Sequence, residues 1–140
     1  PGIDHLLLGT DLVKDPAVLE AAYDDSAGVT AEFNRNVLHV VNRELGADFE
    51  PDAFEHVAFF DRQHEWIEMR LRATRRMRVS IPAVELEIDF APRGEMRTEI
   101  SAKFTPRRLR ADLAAAGLTL QELLTDDERR FALSLSTPAV

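Results

Sequence analysis

Between residues 66 and 104 lie short stretches with apolar side chains at every second position, and this period of two limits the fold more than any other feature of the chain. Trp66, Glu68, Arg70 and Arg72 alternate with Ile67, Met69, Leu71 and Ala73, which gives a strand one polar and one apolar face. Residues 77–81 and 84–90 are strand-like around a Pro82-Ala83 turn, and residues 96–104 alternate again after Pro92-Arg93-Gly94. The spacing predicts an antiparallel meander of four or five strands.

On either side of this sheet the pattern changes. Residues 30–45 carry Phe33, Val37, Leu38, Val41 and Leu45 on one helical face, with Gly46 where a C-terminal cap belongs. A shorter helix opens at Asp15-Pro16 and runs to about Tyr23, where Asp24-Asp25-Ser26-Ala27-Gly28 breaks it. Residues 5–12 form a short apolar run ending in Gly and Asp, which fits a buried strand of the kind found in parallel sheets. Thr105-Pro106 starts a third helix through Ala116 with Gly117 as its stop, and residues 118–125 and 130–136 read as a hairpin. The class is α+β. The first strand and the last helix and hairpin look like parts of a larger sheet.

Composition narrows the function. The 140 residues are enough for one core, 45% hydrophobic and 30% charged residues are ordinary for a globular chain, and no apolar run is long enough to span a membrane. With no Cys, disulfide scaffolds and zinc–thiolate sites are excluded. The net charge of -8 argues against broad nucleic-acid binding. Arginines crowd residues 70–78 and 107–110, but acids follow each run, so paired or solvated faces are expected before an anion site. No secretory signal is visible at Pro1, which makes the cytoplasm the expected location, and the missing initiator Met suggests a piece of something longer.

Chemistry-bearing patterns are few. His5, His39, His56 and His64 have no metal-ligand spacing, and no glycine-rich phosphate loop or nucleophile motif occurs. The strand at residues 97–104 places Arg97, Glu99, Ser101 and Lys103 on one face. Glu99 and Ser101 then offer a carboxylate and a hydroxyl about 7 Å apart, a spacing suited to a small ligand with two nitrogens such as an imidazole. From spacing alone, a strand with one wet face is the default reading. Spacing likewise leaves Met69 as core and Tyr23 as a packing or capping residue.

Several stretches carry a resemblance. Leu7-Leu8-Gly9-Thr10-Asp11-Leu12-Val13-Lys14-Asp15, Ala22-Tyr23-Asp24-Asp25, Phe33-Asn34-Arg35-Asn36-Val37-Leu38, Glu55-His56-Val57-Ala58, Trp66-Ile67-Glu68-Met69-Arg70-Leu71 and Arg97-Thr98-Glu99-Ile100-Ser101-Ala102-Lys103-Phe104 resemble, in order, the histidine-specific methyltransferases of ergothioneine biosynthesis. The resemblance implies trimethylation of the α-amine of L-histidine to hercynine with S-adenosylmethionine as donor. It implies that Glu99 and Ser101 hold the two imidazole nitrogens, that Met69 lines the side-chain pocket and that Tyr23 holds the amino-acid backbone end. No residue is assigned as general base. In fold terms it implies a strand of a doubly wound α/β methyltransferase sheet at residues 1–12, an α+β histidine-recognition insert at 13–104 and the closing helix and hairpin of the methyltransferase domain at 105–140.

The donor-binding glycine-rich loop of that family has no counterpart here, so the chain is expected to recognise substrate and to be inactive alone. Two other classes stay open: a non-catalytic amino-acid-binding or interaction module, and a methyltransferase for another aromatic amino acid. Exposed sheet edges make a homo-oligomer plausible.

Overall fold

A computed structural model describes residues 4–139. Residues 1–3 of the expected first segment and residue 140 of the last lie outside the described residues. The chain divides into two compact units: Pro1–Asp15 with Arg62–Trp66 and Ala102–Val140, and Pro16–Asp61 with Ile67–Ser101.

The first unit is built on β1 (Leu6–Asp11), α3 (Pro106–Ala115), β7 (Leu118–Thr125) and β8 (Phe131–Pro138), in a sheet ordered β1-β8-β7. Both pairings are antiparallel, with Gly9 opposite Leu133 and Leu124 opposite the same residue on the other side. Alternation buries Ala132, Ser134 and Ser136 on β8, while Leu7 is 64% exposed and Leu124, Phe131 and Leu133 are also open. The apolar run of β1 is therefore not the buried strand its composition suggests. Its partner is antiparallel β8, and a lone parallel bridge joins Leu12 to Phe104. As expected, Thr105 caps α3 through its hydroxyl on the Arg108 amide (3.2 Å), and Gly117 ends it with φ of 74°.

A charged cluster anchors this unit. Lys103, 1% exposed, lies 2.8 Å from the Asp11 carboxylate, which also pairs with Lys14. Burial pushes the Asp11 carboxyl up, but the hydrogen bonds and charges of Lys103 and Lys14 outweigh it and hold it below its ordinary value.

The second unit contains α1 (Pro16–Tyr23), α2 (Val29–Leu45), β2 (Phe54–Asp61), β4 (Met77–Ile81) and β5 (Leu86–Phe90), with β3 (Trp66–Ala73) from Ile67 onward and β6 (Glu95–Ala102) as far as Ser101. The expected single meander is split: β2-β3-β6 form one sheet, and β4-β5 form a separate ribbon. The cause is a pinch at its base. Ala73 donates to Gly94 O and accepts from Arg93 N, each at 2.8 Å, so the chain returns to the end of β3 and β6 pairs there. Leu38, Phe49, Phe54, Leu71, Val79 and Phe90 make the main core, with Phe54 and Phe90 edge-to-face at 5.2 Å.

Helix α2 ends at Gly46 as expected, with φ of 65°. Its apolar face is narrower than the sequence suggests. Leu38 is buried, but Phe33 is 65% exposed and Val37 is open as well, while Asn34 is buried in their place. The start of α2 is held from a distance: Asp25 accepts from the amides of Thr30 (2.8 Å) and Val29 (3.1 Å). These bonds, Thr30 first, lower the Asp25 carboxyl to about 2.

The arginine runs are largely neutralised. Arg70 and Arg72 share Glu95 across β3 and β6 at 2.8 and 2.6 Å, Arg75 meets Glu50 at 2.5 Å, and Arg78 pairs with Glu87. In the first unit Arg108 reaches Glu65 and Asp112 at 3.5 and 3.6 Å.

Candidate functional site

Sequence reasoning singles out Tyr23, Met69, Glu99 and Ser101, and all four lie in the second unit. Helix α1 lays Leu19 against Ile67 and Met69 of β3, each at most 3% exposed, and Tyr23, Ala58 and Phe60 pack on this small cluster. Met69 is thus buried in this cluster. Its carbonyl accepts from the Thr98 hydroxyl at 3.1 Å, which registers β6 beside it. The last residue of α1, Tyr23, brings its hydroxyl to 2.8 Å from Ser101 Oγ, a pair in which either oxygen can donate.

Glu99 stands two residues from Ser101 on β6. It is exposed, and its carboxylate has no hydrogen-bond or ion-pair partner among the described residues. It borders a cavity of 190 Å³ with Thr98, Phe33, Asn34, Asn36 and Val37. The exposed apolar pair on α2 therefore lines a concave surface next to a free carboxylate. Of the four residues singled out, only Glu99 lines this cavity; Tyr23, Met69 and Ser101 do not.

The rest of the anticipated polar face differs. β6 stops at Ala102, and Lys103 belongs to the first unit, buried against Asp11. Arg97 leans toward Glu68 at 3.9 Å. The alternation ends with the strand, and a lysine in a buried ion pair has no hydrogen bonds to offer a ligand at that face.

Two residues without an assigned role emerge beside this site. Asn34 donates to His56 Nδ1 (2.9 Å) and to the Arg70 carbonyl (3.1 Å), and His56 Nε2 lies 2.8 Å from the Tyr23 carbonyl. Both stand in motifs that carry the resemblance, and Asn34 is also a polar residue at a core position of a helix, visible once Phe33 is known to face outward.

Comparison with known proteins agrees with the motifs. Residues 2–138 match the family described as histidine-specific methyltransferase, SAM-dependent. The chain belongs to this family. It is 58% identical over 136 residues to the histidine N-alpha-methyltransferase of Mycolicibacterium smegmatis and 57% identical to that of Mycobacterium tuberculosis. Each match covers 97% of the chain and 42% of the relative, so the chain spans less than half the length of these proteins.

The family's methyl donor is S-adenosylmethionine. Among the described residues no glycine-rich loop occurs. Their glycines stand singly, in a strand at Gly9, at helix ends at Gly28, Gly46 and Gly117, and in a turn at Gly94. Among the described residues, no helix is long and apolar enough to cross a membrane.

Proposed function

We propose that this chain is the substrate-recognition portion of an enzyme that methylates the α-amine of L-histidine, with S-adenosylmethionine as donor and hercynine, the ergothioneine precursor, as product. The observation that carries this is the open carboxylate of Glu99 two residues along β6 from Ser101, whose hydroxyl pairs with that of Tyr23. Glu99 takes an imidazole N–H, Ser101 meets the other ring nitrogen, Met69 closes the floor and Tyr23 lies toward the amino-acid backbone. These groups bind and orient, and none is asked to take a proton. Positioning of this kind supplies much of the rate in a displacement between two bound reactants. Phenylalanine would leave both polar groups unpaired, and an indole would satisfy one of them.

The donor is expected to be held by residues outside these 140, so the isolated chain should not form hercynine. Joined to the segment of the M. smegmatis relative that it does not span, it should methylate histidine and not phenylalanine or tryptophan. Glu99→Ala and Ser101→Ala in that protein should each weaken histidine binding about 10- to 100-fold, the scale of a hydrogen bond to a charged or buried group. Hercynine formation by the chain alone, or unchanged histidine affinity in both variants, would sink the proposal.

A further inference from the structure

Asn34 is 3% exposed, and its side-chain nitrogen serves two acceptors. The Arg70 carbonyl at 3.1 Å can only accept, so the atom facing it is the amide nitrogen and not the oxygen. The same nitrogen faces His56 Nδ1 at 2.9 Å, which must then be the unprotonated ring nitrogen. The ring proton sits on Nε2, and it points at another obligate acceptor, the Tyr23 carbonyl at 2.8 Å. With a carbonyl at each end, only the neutral Nε2–H tautomer satisfies every bond. A proton on Nδ1 would set donor against donor.

The Tyr23 carbonyl is the last of α1. His56 closes that end from β2, while the hydroxyl of the same tyrosine reaches Ser101 on β6. We propose that His56, fixed as the Nε2–H tautomer by Asn34, is the positioning residue that sets Tyr23 against Ser101 in the histidine site. This rests on the proposed function and adds a residue that does not itself touch substrate. It also gives a role to Asn34 and His56, which stand in two of the motifs that carry the resemblance.

Tyr23 is the only tyrosine, so ¹³C-tyrosine labelling of the chain gives one reporter ring. ¹⁵N-histidine labelling reads the His56 tautomer on the parent and needs no variant. The expected result is a neutral Nε2–H ring. His56→Leu should move the Tyr23 signals and, in the completed protein, raise the histidine KM about tenfold with kcat little changed, as for the loss of one hydrogen bond. His56→Gln, which keeps a donor and an acceptor, should restore most of both, and Asn34→Ala should move the Tyr23 signals if His56→Leu fails to fold. Glu99→Ala should weaken histidine binding and leave the Tyr23 signals in place. An Nδ1–H or cationic ring, unmoved Tyr23 signals in His56→Leu, or moved signals with unchanged KM would overturn the proposal. If Glu99→Ala leaves binding intact, the reading of the site fails, and the Tyr23 signals still decide whether His56 positions that ring.

Discussion

Replacing Asp11 by Asn leaves the ammonium of Lys103 in a place with 1% exposure and without its carboxylate. Breaking a buried pair from this side costs about 3–5 kcal/mol, and the lower end applies because the Asp11 side chain is 32% exposed and Lys103 keeps a further interaction. The reverse change is milder. Lys103→Met keeps the buried stem and leaves a partly hydrated carboxylate beside Lys14, a cost of about 1 kcal/mol. The double variant removes both charges and should also lose only about 1 kcal/mol, a coupling of about 3 kcal/mol. For a chain of this size that separates the Asp11→Asn and double variants by roughly 10 °C in melting temperature. Trp66, the only tryptophan, belongs to the same unit and stacks on His64 at 4.5 Å, so its fluorescence reports the transition. The Asp11 carboxyl is lowered in the folded chain, so its contribution is present above the unfolded value near 4 and fades as pH falls through the lower folded value. Equal costs for the two single variants, or a double variant as unstable as their sum, would refute the reasoning.

The two faces of α2 should respond oppositely to truncation. Leu38→Ala is expected to cost about 2–5 kcal/mol and Phe33→Ala less than about 0.5 kcal/mol, by denaturation followed by circular dichroism, because one side chain is 2% exposed and the other 65%. Asp25→Ala should speed hydrogen exchange at the Val29 and Thr30 amides. That difference should be full above pH 4 and vanish as pH falls through about 2, since the Asp25 carboxyl is lowered in the folded state.

Much of the local structure is legible in the chain itself. Thr105-Pro106 and Gly117 bound α3, Gly46 stops α2, and alternation from Trp66 to Ala73 gives β3 its buried Ile67, Met69, Leu71 and Ala73. These signals act within a few residues, through caps, φ preferences and side-chain period. Family membership is legible as well, because the motifs run unbroken along the sequence.

What the sequence leaves open is whatever depends on chain segments meeting over long separations. Periodicity cannot say that the Ala73–Gly94 pinch isolates β4-β5, or that Lys103 leaves the polar face for Asp11. Nor can it say that Phe33 faces outward while Asn34 turns in to His56, because a helix fixes the order of its faces and not which one the neighbouring strands cover. Glu99 and Ser101 could be set side by side from spacing. That Tyr23, 78 residues from Ser101, pairs with it was decided only by tertiary structure, where partly buried polar groups from α1, α2, β2 and β6 must find one another as partners.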